Sequence, residues 1–141
     1  MEGAPHFAKP ELRTLAAISI LVRDQDEAAA WFRKKLNFIL IEDTDLGNGK
    51  RWVVVAPSAR RGARLVLAKA DGEAQETRVG DQTGGRVGFF IETDDIARDF
   101  ERMRARGVVF REGPRVEAYG TVAVFEDLYG NLFDLIQRIG S

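Results

Sequence analysis

The chain has no cysteine and only one histidine, His6, in 141 residues. The first absence removes disulfides, thiolate nucleophiles, cysteine-ligated metal and iron–sulfur chemistry. The second removes a Ser–His–Asp triad and any metal site built from several imidazoles. An excess of charge of either sign is missing too. Lys and Arg number 21 against 22 Asp and Glu, a net charge of −1, which offers no electrostatic footprint for nucleic acid or an anionic membrane. No apolar run approaches the roughly 20 residues of a spanning helix. Met1 to Glu11 lack the apolar centre of a secretory signal. These absences predict a cytoplasmic protein with no nucleic-acid or membrane partner.

What is present is ordinary for a folded domain: 45% hydrophobic and 30% charged residues. A chain of this length forms one domain and buries about two thirds of its unfolded surface. Residues 1–14, with His6, are expected to be a flexible leader, and 15–138 the single domain.

Inside that domain one pattern occurs twice. An apolar run, Ile18-Ser19-Ile20-Leu21-Val22 and later Val87-Gly88-Phe89-Phe90-Ile91, is followed by a helix-capping aspartate, Asp24 or Asp95. A helical stretch then ends at Asn37 or Gly107, residue types that tolerate a left-handed backbone. A second apolar run follows, Phe38 to Ile41 or Val108 to Phe110. The caps stand 71 residues apart and the stops 70. Duplication predicts a pseudo-two-fold domain with a cleft where its halves meet.

The first helix shows Ala28, Phe32 and Leu36 at i, i+4 and i+8, with Glu27 completing an Asp24 capping box. Trp31 beside that stripe reads as core or interface packing rather than ligand stacking. The second helix shows Ile96, Phe100 and Met103, capped by Asp94 or Asp95. Further strands are expected at Arg51 to Ala56, Arg64 to Ala68, Thr121 to Phe125 and Leu132 to Gln137. Gly113-Pro114 is expected to open a loop, and Asp127 to Asn131 to form a hairpin connection. Each half is therefore βαβββ, about 15–69 and 86–138. Residues 70–85 form a polar linker that is a candidate mobile flap over the cleft. Gly80 to Gly85 precede a strand, so they make no phosphate-binding loop. Arg60, Arg61 and Arg64 cluster, and read as a solvated loop.

Three segments carry a family likeness: Ile18 to Ala28, Asp94-Asp95-Ile96, and Val124-Phe125-Glu126-Asp127-Leu128-Tyr129-Gly130-Asn131-Leu132-Phe133-Asp134-Leu135. With the duplication, they make residues 15–138 resemble the vicinal oxygen chelate superfamily of glyoxalase I, extradiol dioxygenases, fosfomycin-modifying enzymes and bleomycin-resistance proteins. The resemblance implies an α+β fold in which tandem βαβββ modules form a curved mixed sheet around a cleft. It also implies a divalent metal in that cleft, held by up to four side chains. The corresponding positions here are Ala17, Val66, Gly88 and Asp134. Three of these cannot coordinate, so neither metal nor other cofactor is expected.

Strand alternation carried from these positions turns Ser19, Leu21, Phe90 and Glu92 toward the cleft. Trp52 or Arg51 lines the pocket while the other faces the helix layer. The expected ligand-binding residues are Ser19, Leu21, Trp52, Arg64, Val66, Gly88, Phe90, Glu92 and Tyr119. Tyr119 and Tyr129 would close the pocket or pack its rim. Gly88 leaves room for a substrate, or relieves crowding between strands. Asp134 is the candidate catalytic group, a general base if burial raises its pKa; the alternative is an ion pair with Arg51 or Arg64.

The expected function is binding of a small hydrophobic or mixed-polarity molecule without a metal. The alternatives are a glyoxalase-like lyase or dioxygenase-like enzyme using Asp134, and a ligand-free structural or regulatory homodimer. Open sheet edges and the resemblance both predict a homodimer, with modules paired within one chain or swapped between two.

Overall fold

The structure is a computed structural model and describes residues 12–140; the leader's His6 lies outside them. The first half comprises β1 (Ala17–Val22), α1 (Gln25–Leu36), β2 (Ile39–Gly47), β3 (Lys50–Ala56) and β4 (Arg64–Lys69). A one-turn helix α2 (Glu73–Glu76) lies in the linker. The second half comprises β5 (Val87–Glu92), α3 (Ile96–Ala105), β6 (Phe110–Glu117), β7 (Gly120–Glu126) and β8 (Leu132–Arg138). The mixed sheet is realised as two four-stranded sheets, ordered β1-β4-β3-β2 and β5-β8-β7-β6. We term them the first and second sheet. In each, one parallel pair (β1 with β4, β5 with β8) joins antiparallel neighbours. The architecture is α+β with tandem βαβββ modules. No described helix is long and apolar enough to cross a membrane.

Both long helices start and stop where residue chemistry directs. The Asp24 carboxylate accepts from the Glu27 N–H at 2.8 Å, and Asn37 takes a left-handed φ of 57°. Asp95, not Asp94, caps α3, accepting from the Arg98 N–H at 3.0 Å. Left-handed Gly107, at φ 92°, then turns the chain into the next strand.

Two strands exceed their apolar runs. β2 continues through Glu42-Asp43-Thr44-Asp45 to the hairpin turn at Asn48, and β6 continues through Gly113-Pro114 to Glu117. Both are edge strands, whose polar residues are solvated and whose pairing depends on backbone alone. Gly113-Pro114 does not open a loop. It sits where the β6–β7 register shifts between Glu112 and Arg115, an edge bulge that tolerates a residue lacking an N–H.

One face of each sheet contributes to a single core. From the first come Ile20, Val22, Val53, Val55, Leu65 and Leu67; from the second come Ala123, Phe125, Phe133 and Leu135, with Phe89 and Ile91 against them. Phe32 of α1 joins the halves. Its ring lies 5.3 Å from Phe38 and 6.1 Å from Phe133, which stacks on Phe89 at 4.6 Å and Phe125 at 5.1 Å. Trp31 packs edge-to-face on Phe32, as core packing requires.

The linker is tied down rather than free over a cleft. Val79 is buried, and the Gln82 side chain accepts from Leu21 N–H and donates to Ser19 C=O, both at 2.8 Å. This one amide completes the hydrogen bonding of the β1 edge as a neighbouring strand would. The Gln82 N–H in turn donates to Asn131 Oδ1 at 3.4 Å. Asn131 is held by buried Asp127, whose carboxylate accepts the N–H groups of Tyr129, Gly130 and Asn131 and the Asn131 amide. The Tyr129 hydroxyl reaches the start of α1, donating to Glu27 at 2.9 Å and accepting from the Asp24 N–H at 3.2 Å. The β7–β8 turn thus clasps the first half. Gly80 permits the contact, since a Cβ there would lie 2.0 Å from the Tyr129 carbonyl oxygen.

Candidate functional site

Residues alternating with the core residues form the outer face of each sheet. On the first, Ala17 lies opposite Arg64, and Val66 lies between Ser19 and Val54. A cavity of about 600 Å³ opens here, lined by Ala17, Glu42, Trp52, Val54, Arg60 and Arg64. Trp52 faces this cavity, and its Nε1–H donates to Glu42 Oε1 at 3.2 Å. Arg51 turns to the helix layer and grips Asp26 and Asp43 at 2.9 and 2.8 Å.

On the second sheet, Asp134 lies between Phe90 and Val124. Burial pushes its carboxyl above the usual range; the charge of Arg115 opposes this and that of Glu112 reinforces it. No hydrogen bond or ion pair joins Asp134 to another described residue. The expected partners are engaged elsewhere: Arg51 on the helix side, Arg64 on the other sheet. Arg115 itself is held by Glu112 and, at 2.6 Å, by Glu117. Glu92 pairs with Arg138 at 2.5 Å, and Tyr119 is exposed at the β6–β7 turn.

A second cavity, about 850 Å³, lies between the halves and is walled by Ile18, Phe38, Leu65, Phe89, Phe90 and Phe133. Gly88, Glu92 and Arg61 also border it. Of the ten residues expected to share one cleft, Trp52 and Arg64 reach the first cavity, and Gly88, Phe90 and Glu92 the second. Ser19, Leu21, Val66, Tyr119 and Asp134 line neither. The cause is the shared core: with one face of each sheet turned into it, the other faces point outward and do not enclose a common cleft within one chain.

The four positions of the family's metal ligands divide likewise, Ala17 and Val66 on the first sheet, Gly88 and Asp134 on the second. Only Asp134 carries a donor side chain. A Cβ on Gly88 would lie 2.5 Å from Thr83 Cγ2, so Thr83 fills the space a ligating side chain would need, and the glycine relieves crowding. Among the described residues no three His, Cys, Asp or Glu gather as a metal site requires. This donor set does not fit a resident transition metal.

Sequence reasoning overlooked Gln82, Asn131 and Glu42. Asp127 and Asn131 carried a signal as a turn pair; Gln82 carried none, because an amide acting as a strand edge leaves no periodic trace.

Comparison with known proteins gives the family and agrees with the fold. The family model described as "Glyoxalase/Bleomycin resistance protein/Dioxygenase superfamily" matches residues 14–135. An uncharacterized protein of Shewanella frigidimarina (strain NCIMB 400) is 48% identical over 126 residues, 89% of this chain and 93% of that protein. TnmS3, described as an antibiotic binding protein from Streptomyces sp. CB03234, superposes with a TM-score of 0.75 at 29% identity, over 92% of this chain and 99% of that one. A glyoxalase/bleomycin resistance protein from the same Streptomyces gives a TM-score of 0.70 at 31% identity, over 88% and 100%. The chain belongs to the glyoxalase/bleomycin resistance protein/dioxygenase superfamily.

Proposed function

We propose that this protein binds a small hydrophobic or mixed-polarity molecule without a metal, and that it does so as a homodimer. In the dimer the outer face of the first sheet of one copy meets that of the second sheet of the other, and the pocket closes between them. One observation carries the reading: the residues fit for ligand contact are split between two outward faces that one chain does not bring together. Their aromatic members remain open, Trp52 at 39% and Phe90 at 62% exposure. These side chains are open to contact with a ligand or a second copy. The likeness to TnmS3, described as an antibiotic binding protein, supports small-molecule binding.

Native mass spectrometry of protein purified without chelator tests this reading. The expected species is a dimer that carries an organic adduct and no stoichiometric metal. A monomer at micromolar concentration overturns the dimer, and near-stoichiometric zinc, iron, nickel or manganese lost in Asp134→Asn overturns the metal-free site. A second reading, an enzyme using Asp134 as general base, is favoured by its raised, unpaired carboxyl. It requires Asp134→Asn to abolish turnover while leaving ligand affinity unchanged.

A further inference from the structure

We propose that the ligand is an aromatic molecule bearing an acidic group, its ring against Trp52 and its anion between Arg60 and Arg64. This rests on the small-molecule reading above and narrows it to a chemical class.

The arginine-rich loop is more than solvated surface. Several other arginines grip a carboxylate, among them Arg51, Arg98, Arg111, Arg115 and Arg138. Arg60, Arg61 and Arg64 form no ion pair with any described residue. Arg64 makes only a 3.3 Å bond to the Ala59 carbonyl oxygen. These three cations border the two large cavities. Arg60 and Arg64 line the Trp52 cavity, Arg61 lines the Phe90 cavity, and Gly62 and Ala63 line both. The β3–β4 loop is therefore the common rim of the two depressions.

Charge then decides the class. Among the described residues the lining of the Trp52 cavity holds two arginines and one carboxylate, Glu42, which accepts the indole N–H. Glu92 and Asp94 beside the other cavity are each paired, with Arg138 and Arg98, and do not offset Arg61. A guanidinium pair presents donors in the planar fork that carboxylates, sulfonates and phosphonates accept. Trp52, with its N–H occupied, offers a ring face for stacking. The volume, about 600 Å³, suits a small organic molecule.

The test is calorimetric titration of the full chain with 2-naphthoate, its neutral amide 2-naphthamide, and the cation 2-naphthylmethylammonium. The expected order is naphthoate at least tenfold tighter than amide, with the cation weakest. The naphthoate advantage should shrink with salt, vanish in R60Q/R64Q and persist in R60K/R64K, while amide affinity stays unchanged. Equal binding of naphthoate and amide, or preference for the cation, overturns the acidic class and leaves the small-molecule reading standing. A weaker dimer in R60Q/R64Q with no charge preference also overturns it, by assigning the arginines to carboxylates of a second copy. No binding of any probe up to millimolar concentration overturns both.

Discussion

The two outer faces are built on the same backbone plan and have opposite electrostatic character. The first sheet presents Trp52 beside Arg64 and Arg60, cations without carboxylate partners. The second presents Phe90 beside paired charges in which carboxylates outnumber cations, Arg115 with Glu112 and Glu117 and Arg138 with Glu92, and one further carboxylate, Asp134, that makes no hydrogen bond or ion pair among the described residues. The inner faces differ much less. Ile20 corresponds to Ile91, and Leu65 and Leu67 to Phe133 and Leu135, all apolar. Close packing holds core positions to shape and apolarity, whereas outward positions answer only to what binds there. The difference between the halves is thus concentrated where ligand recognition is proposed.

Four substitutions break or sharpen this comparison. Phe133→Ala should act on both faces at once, because its ring, 1% exposed, contacts Phe32, Phe89 and Phe125 in the joint core. A loss of about 3–5 kcal/mol is expected in urea unfolding. Asp127→Ala should loosen the clasp between halves by leaving three backbone N–H groups and the Asn131 amide without their acceptor. We expect about 2–4 kcal/mol, with both halves still melting in one transition.

Gln82→Leu should affect the first sheet alone. It removes the two bonds to Ser19 and Leu21 at similar side-chain volume, for about 1–2 kcal/mol. Amide exchange should accelerate at Leu21 and stay unchanged at β5 to β8; uniform acceleration would show that Gln82 supports the whole domain.

Asp134→Asn should have the smallest effect, and only on the second sheet. Burial raises the Asp134 pKa in the folded state, so folding favours the protonated carboxyl. Its contribution is most favourable below the ordinary value near pH ~4 and declines as pH rises through the folded pKa. The variant should lose that decline, match the wild type in acid, and be equal or more stable at neutral pH by under about 0.5 kcal/mol. Marked destabilisation at neutral pH would reveal a charge partner for Asp134.

Much of the fold was legible because it rests on local chemistry. Asp24 and Asp95 as caps, Asn37 and Gly107 as stops, and the Phe32 stripe are decided within a few residues of chain. The polar half of β2 and the bulged half of β6 were not legible, since an edge strand needs no apolar pattern to pair. At the site, the direction of Trp52 relative to Arg51 was left open by alternation alone. The core position of Val53 and the Arg51 pairs with Asp26 and Asp43 settle it.

The sequence by itself determined the duplication and the two βαβββ units, because order and periodicity suffice for each. Tertiary structure alone decided how the halves meet. Phe32 inserts between the sheets and Gln82 closes the β1 edge, joining positions up to 101 residues apart in the chain (Phe32 and Phe133). That packing turns the two candidate faces outward and seats the arginine loop between the cavities. No local pattern encodes it, because it follows from which apolar surfaces bury one another once all strands are paired.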